Sequence, residues 1–300
     1  VIGAAVKSLP PDSVIVVDDH SHDGTAEEAR EAGAGVLEAP PVAAGALGKA
    51  SACMAGARLL TSRWILFTDA DTRYQAGFLE SAVRYAEAHG LTLLSVHLTT
   101  RAESWAQRIL DPYASALFFS GASPRRDPAA MFNGQCILAR RDAYEFLGGH
   151  AAVLRDLAED VKLAKLAQRH RMDFGAARSG GLGQIHKRDG WKDVRSAIGR
   201  NTCRLIHVNP RTSFTLLITA LCAALCFPVA AWLWFVGHRV APVALVLALL
   251  LELYPWYRNP LRVLLAPIAI YTALPVLIRG SIGALAGRPI EWKGRTVRIT

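Results

Sequence analysis

Residues 13–25 read Ser13-Val-Ile-Val-Val-Asp18-Asp19-His-Ser-His-Asp23-Gly-Thr25. The apolar run Val14–Val17 is rich in β-branched residues. It is bounded by Pro10-Pro11 on one side and by the acidic pair Asp18-Asp19 on the other. A short continuous apolar run between such punctuators reads as a strand buried on both faces, the kind found in parallel sheets. Ligands of open parallel sheets bind at the carboxyl ends of the strands. Asp18 and Asp19 would therefore stand where a base or ribose could donate hydrogen bonds to them. A turn capped by Asp and Ser is the plainer reading of the same residues.

Working outward, strands and helices alternate. Thr25–Ala34 carries Glu27, Glu28 and Glu31 in helical register and stops at Gly33 and Gly35. Gly35–Glu38 reads as a strand, Gly48–Leu60 as a helix, Arg63–Thr68 as a strand, Gly77–His89 as a helix and Leu91–Leu98 as a strand. This order predicts an α/β domain over residues 1–210, a Rossmann-like, mostly parallel sheet with helices on both faces. The chain opens at Val1 in what reads as the end of an amphipathic helix (Val1–Leu9), with no signal-peptide pattern.

Of the 300 residues, 52% are hydrophobic and 20% charged. A soluble domain averages about 45–50% and about 25%, so part of the chain is expected in lipid, and disorder is excluded. The net charge of +9 is unevenly spread: residues 1–161 carry 14 Lys/Arg against 20 Asp/Glu, residues 162–210 carry 11 against 3, and residues 211–300 carry 9 against 2. The basic half is also the apolar half, which points to anionic headgroups rather than nucleic acid. Five cysteines at scattered positions, without a CxxC pair, argue against a disulfide framework or a structural zinc site and for a reducing compartment.

Residues 211–300 read as a membrane region with two to three hydrophobic segments and a short basic tail. Ser213–Val236 has no charged residue, Val240–Tyr257 holds only Glu252, and Val263–Ile278 is flanked by Arg262 and Arg279. Trp232, Trp234, Tyr254, Trp256 and Tyr257 sit at segment ends, as interfacial belts require. Arg288, Lys293, Arg295 and Arg298 place the tail in the cytoplasm by the positive-inside rule, with the sheet domain there too. Three full crossings would give the wrong parity. Either Ser213–Val236 is re-entrant around Phe227-Pro228, or a later segment lies in the interface. Trp105, Ile109, Tyr113, Leu117 and Phe118 share one helical face within Ser104–Ser120, which predicts either an interfacial helix or a core-packed one.

Several groups carry chemistry. Asp69-Ala-Asp71 follows a strand, and two carboxylates so spaced suit a divalent cation, Mn2+ or Mg2+, which would neutralise a diphosphate leaving group. Lys49, after Gly45-Ala-Leu-Gly48 and ahead of a helix, is placed to meet phosphate oxygens, although the segment lacks the phosphate-loop pattern of NTPases. Glu159-Asp160 opens a helix at Val161–Gln168. A carboxylate in that first turn lies at the positive end of the helix dipole and is placed to take a proton from an attacking hydroxyl.

Together these residues resemble the family 2 glycosyltransferases, inverting enzymes with a GT-A fold, from about Val14 to Thr202 and in the tail. Val-Val-Asp18-Asp19 looks like the family's nucleotide-binding strand end, Gly48-Lys49 its phosphate-side lysine segment, and Asp69-Ala-Asp71 its metal-binding motif. The stretch Asn133-Gly134-Gln135-Cys-Ile-Leu-Ala-Arg-Arg-Asp142 through Gly148-Gly149 looks like the acceptor-side loop. Glu159-Asp160 matches the acidic pair whose Asp serves as base. The ending Pro289-Ile-Glu-Trp292-Lys-Gly-Arg295 is similar to that of ceramide-, hopanoid- and carotenoid-modifying enzymes. The family's first strand would lie before Val1. The Gln/Arg-x-x-Arg-Trp motif of processive polysaccharide synthases is missing, and Gly190-Trp191-Lys together with Gly199-Arg200-Asn201-Thr202 resembles the basic gate of lipid-modifying relatives instead.

The resemblance implies a multi-pass enzyme of the cell membrane with a cytoplasmic catalytic domain. It would move a single sugar from a nucleotide diphosphosugar, a UDP-sugar being favoured, to a lipid acceptor. Asp18, Asp19, Lys49, Asp69, Asn133, Gly134 and Gln135 would bind the donor, Asp71 with Asp69 the metal, and Asp160 with Glu159 would carry the catalysis. The other classes weighed are a sugar-nucleotide pyrophosphorylase-like enzyme and a non-catalytic membrane scaffold with a degenerate transferase domain.

Overall fold

The structure, a computed structural model, describes residues 1–43, 45–121, 129, 132–156, 158–186, 190–208, 210–287, 290–292 and 295–297. Two compact units emerge: Val1–Arg101 with Pro128–Lys187, and Ala102–Asp127 with Arg188–Thr300. Arg288, Lys293 and Arg298 of the basic tail, with Pro289 and Gly294 of the ending, lie outside the described residues.

In the first unit the chain runs α1 (Ile2–Val6), β1 (Ile15–Asp18), α2 (Thr25–Glu31), β2 (Gly35–Glu38), α3 (Gly48–Ala57), β3 (Trp64–Thr68), β4 (Thr72–Tyr74), α4 (Phe78–Ala88), β5 (Leu93–His97) and β6 (Thr99–Thr100). The deciding run forms β1 and pairs in parallel with β2, Ile15 opposite Gly35 and Asp18 opposite Glu38. Its valines pack with α1 and α2 around Ile2, Val6, Ala29 and Ala34.

The second half of this unit adds β7 (Cys136–Arg140), α6 (Arg141–Phe146), a short 3-10 helix (Gly149–Val153), α7 (Glu159–Arg169), β8 (Phe174–Arg178) and β9 (Gly183–Ile185). The central sheet has the order β3-β7-β5-β8, and a smaller one the order β4-β9-β6. Successive side chains of a strand point to opposite faces, and the two cores follow from that. Ile65, Phe67, Leu93, Ile137 and Ala139 join Leu163, Ala164 and Ala167 of α7 on one face. Leu94, Val96, Cys136 and Leu138 join Phe78, Ala82 and Ala86 of α4 on the other.

Helices thus cover both faces, as expected of an α/β domain, while the sheets themselves are mixed. β5 and β8 run parallel, but β7 is antiparallel to both β3 and β5. An apolar run marks a doubly covered strand without marking its direction. Here β7 enters from the loop at residues 132–135 and leaves into α6 at the opposite edge.

The second unit is helical: α5 (Trp105–Gly121), α8 (Trp191–Val208), α9 (Pro210–Phe235), α10 (Val240–Tyr257), α11 (Pro260–Val263) and α12 (Ala266–Leu285), then an antiparallel pair, β10 (Ile290–Trp292) with β11 (Arg295–Val297). The helices α9, α10 and α12, at 26, 18 and 20 residues, are long and apolar enough to cross a membrane. At 1.5 Å per residue they measure about 39, 27 and 30 Å against a hydrocarbon core of about 30 Å. α8 and α12 meet at small residues: a Cβ on Gly280 would lie 3.2 Å from the carbonyl oxygen of Gly199 and 3.3 Å from Cβ of Thr202.

Two pairs of alternatives are narrowed in this unit. The helix α9 runs unbroken through Phe227-Pro228, so the chain does not turn back there. Proline lacks the N–H that would bond the carbonyl four residues earlier, here that of Ala224. The Tyr271 hydroxyl donates to that same carbonyl at 2.9 Å, so the helix continues with the freed acceptor satisfied. In α5, Ile109, Tyr113 and Leu117 pack into the helical core with Leu253, Tyr257, Ile270 and Ala273 instead of facing an interface. The Tyr257 hydroxyl is bonded to the Ile109 carbonyl at 2.8 Å, and Trp105 stays exposed at the start of the helix with Arg108 over its ring.

The pairing of Tyr271 with the Pro228 gap makes a coupled prediction. Tyr271→Phe should destabilise the detergent-solubilised protein by roughly 0.5–1.5 kcal/mol. In a Pro228→Ala background the new amide bonds Ala224 itself, and the same change should then cost much less. Thermal unfolding of the four proteins of this cycle checks it, and additive losses would contradict the pairing.

Candidate active site

The β3–β7 register places Thr68 opposite Cys136, so Asp69 emerges beside the loop that precedes β7. The Asp69 amide donates to the Gln135 carbonyl at 3.2 Å, and the Thr72 hydroxyl to the Asp69 carbonyl at 2.8 Å. The loop itself is closed by its own side chains. The Asn133 side-chain amide donates to Gln135 Oε1 at 2.9 Å, and the Gln135 backbone amide returns a bond to Asn133 Oδ1 at 3.2 Å. Ser95 of β5 anchors the loop by accepting the Asn133 amide at 2.9 Å.

Gly134, at the centre of this loop, has both sides of its backbone engaged. Its carbonyl accepts from Lys49 Nζ at 3.0 Å, and its N–H donates to Asp160 Oδ2 at 2.7 Å. A Cβ at this position would stand 3.0 Å from Lys49 Nζ, 3.1 Å from Asp160 Oδ2 and 3.2 Å from Glu159 Oε1. Lys49, the second residue of α3, also reaches Asp69 Oδ1 at 2.8 Å and Glu159 Oε1 at 3.5 Å. An ammonium has three protons, and three acceptors surround this one. Glu159 and Asp160, the first two residues of α7, are 7% and 6% exposed. The second oxygen of Asp160 takes the Val161 amide at 2.8 Å. Lys49, Asp69, Gly134, Glu159 and Asp160 therefore meet in one part-buried knot, drawn from four separate stretches of sequence.

The electrostatics follow from burial and sign. Burial would lower the Lys49 ammonium, but Asp69 and then Glu159 outweigh it and hold the group above its ordinary value. Cys53, four residues along α3, is pushed up to about 12 by burial, with Glu159 and Asp69 adding to the effect against Lys49, so it stays a neutral thiol. His150 of the 3-10 helix is pushed down to about 4 by burial and then by Lys49, with Asp160 opposing. Its Nδ1 lies 2.9 Å from the Tyr144 hydroxyl, which also accepts its backbone N–H at 3.0 Å.

The remaining predicted residues stand at neighbouring strand ends. Asp18 ends β1, its Oδ2 accepting the Ser21 amide at 3.3 Å, while its buried Oδ1 has no hydrogen-bond partner among the described residues. A buried carboxylate oxygen without a donor is costly, which suits an edge that a ligand completes. Asp19 follows, exposed. Asp71 opens the turn into β4, and its carbonyl accepts the His186 amide at 2.7 Å because β4 and β9 run antiparallel. Sequence reasoning missed His186, Ser95 and His150. His186 is a lone histidine after a three-residue strand, and only the pairing of strands more than a hundred residues apart brings it level with Asp71.

The donor set fits a divalent cation held together with phosphate. Asp69 is shared with Lys49, and Asp71 and His186 offer oxygen and nitrogen donors on adjoining backbone. Among the described residues no three such side chains converge. Mg2+ is characteristically held by one or two carboxylates with substrate phosphates and water, not by an all-protein cage.

Comparison with known proteins agrees with this architecture. Residues 3–148 match the family model described as Glycosyl transferase family 2. The match covers just under half of the chain, and the α/β unit that holds it has a GT-A-like fold. Among solved structures, the mannosyltransferase PcManGT from Pyrobaculum calidifontis, in complex with GDP-Man and Mn2+, is 19% identical with a TM-score of 0.51, over 92% of this chain and 79% of that one. Glucosyl-3-phosphoglycerate synthase from Mycobacterium tuberculosis, in complex with Mg2+ and uridine-diphosphate, is 16% identical with a TM-score of 0.46, over 69% and 74%. No curated protein matches the chain significantly.

The buried His150 predicts a pH dependence of stability. Its folded value, about 4, lies below the ordinary 6.5, so the unfolded chain binds its proton first as pH falls. The stabilisation is complete above pH 6.5 and is lost between 6.5 and about 4, by up to roughly 3 kcal/mol at 1.4 kcal/mol per pKa unit. His150→Gln should flatten that part of the stability profile, measured as the difference in Tm between pH 7 and pH 5. An unchanged slope would contradict the burial argument.

Proposed function

We propose that this chain transfers one sugar from a nucleotide diphosphosugar to a lipid hydroxyl at the cytoplasmic face of the membrane, inverting the anomeric carbon. The observation that carries the reading is the clamp on Gly134, which holds Asp160 beside Asp69 and Glu159 through a single peptide and a single lysine.

Asp18 and Asp19 receive the nucleoside at the end of β1, where the unpartnered Asp18 Oδ1 awaits a donor. Asn133, Gly134 and Gln135 form the floor on the sugar side. Asp71 and Asp69, joined by His186, would hold Mn2+ or Mg2+, which when bound neutralises charge on the diphosphate. The need for a cation is also electrostatic. Asp69, Glu159 and Asp160 against Lys49 leave two negative charges in the knot, and a diphosphate adds more. The cation bound with GDP-Man in the Pyrobaculum enzyme is consistent with that need.

Asp160 is the base. The Gly134 and Val161 amides fix its carboxylate, which takes the acceptor's proton. The acceptor oxygen bonds to the anomeric carbon as the bond to the diphosphate breaks on the opposite face, so configuration inverts in one step. Glu159 holds Lys49, and Lys49 holds the acidic groups in place. The three membrane-length helices support a lipid acceptor, and the excess of Lys/Arg beyond residue 161 supports contact with anionic headgroups.

Asp160→Asn keeps an oxygen for the Gly134 amide but cannot take a proton. It should lower turnover by roughly 10²–10⁴-fold with nucleotide binding nearly intact. Membranes holding the full-length protein, incubated with a panel of labelled nucleotide sugars, should yield label in extracted lipid identifiable by mass spectrometry. Near-wild-type turnover in the variant would refute the base assignment, and label confined to water-soluble products would refute the lipid acceptor.

A further inference from the structure

We infer that Arg155 is the protein's cationic clamp on the donor diphosphate, a role that rests on the nucleotide-sugar reading above. The inference starts from Lys49. Its ammonium is hydrogen-bonded to Asp69 and the Gly134 carbonyl and ion-paired with Glu159 at 3.5 Å, so its charge is committed to groups of the protein. The net charge of the knot is negative, and the leaving group needs a positive side chain from elsewhere.

Arg155 has the position and the unspent donors. It lies four residues before Glu159, in the segment tied to the loop ahead of Lys49 by a bond from the Leu47 amide to the Leu154 carbonyl at 2.7 Å. In that loop Gly45, at φ +79°, would bring a Cβ to 3.8 Å from Arg155 Nε, so the guanidinium lies over a backbone without side chain. Among the described residues the guanidinium has no hydrogen-bond or ion-pair partner. The nearby carboxylates are held by other cations, Asp156 by Lys162 at 3.1 Å and Glu159 by Lys49. An exposed arginine without a partner among the described residues, set against the loop that leads into Lys49, is set up for an anion that arrives with the substrate. Its planar fork matches two phosphate oxygens at once. When the bond from the anomeric carbon to the phosphate oxygen breaks, the electron pair stays on that oxygen, and Arg155 stabilises the charge there.

The test uses the full-length protein in detergent with Mn2+, titrated calorimetrically with UDP, GDP, UMP and GMP. For whichever base the wild type binds, Arg155→Ala should weaken the diphosphate roughly 10- to 100-fold, the weight of one or two charge-assisted hydrogen bonds, and change monophosphate affinity less than about twofold. Arg155→Lys should recover part of the loss, and the KM for the acceptor should not move. Diphosphate affinity and turnover unchanged in Arg155→Ala would overturn the assignment, as would a rise confined to the acceptor KM. A wild-type protein that binds neither diphosphate would overturn the nucleotide-sugar reading itself, a result distinct from both.

Discussion

The candidate site of the α/β unit is organised around one half-buried ammonium. Lys49 joins the first residue of the Asp69–Asp71 turn, the peptide of Gly134 and the first residue of α7. Burying a charge is tolerable only when it is paired and hydrogen-bonded, and here the ammonium has two hydrogen bonds and two carboxylate partners. Because Gly134 is gripped at its carbonyl by Lys49 and at its amide by Asp160, the acidic groups cannot drift apart without breaking the peptide's bonds as well. The same packing explains why the position is glycine: any side chain would enter the space between lysine and carboxylates.

The helical unit meets a different constraint, since a carbonyl freed inside a helix apolar enough to cross a membrane would find no water in lipid. Pro228 interrupts the ladder of α9, and a tyrosine from α12 fills the gap. The close meeting of α8 and α12 at Gly199 and Gly280 depends on side-chain size, since a Cβ at either glycine would press on the facing helix. The residues are ordinary. Their pairing is what matters.

Much of the architecture was legible in the chain. The run at residues 14–17, the strand at residues 35–38 and the span of α10 coincide with, or lie within a residue or so of, the observed elements, because apolar periodicity and punctuation by Gly, Pro and Asp are local properties. Strand direction was not legible: Cys136–Arg140 looks the same whichever way it runs. The interior of α9 misled for a related reason. Phe227-Pro228 resembles a break when read alone, and the group that repairs it lies 43 residues further on.

For the site, the division is equally physical. The carboxylates Asp18, Asp19, Asp69, Asp71, Glu159 and Asp160 could be nominated from sequence because several acidic groups recur directly after strands or at a helix start, in the order the family resemblance requires. What they do to one another could not. That Lys49 is spent on Asp69, Gly134 and Glu159, that His186 stands level with Asp71, and that Arg155 faces an empty glycine backbone are consequences of strand register and of chain segments meeting far apart in number. Amino-acid order alone determined which segments are strands, which helices suit lipid and which residue types could serve chemistry, since these depend on neighbours along the chain. Only the tertiary structure decided which charges neutralise each other and which remain for a substrate, since Coulomb energy depends on distance through space.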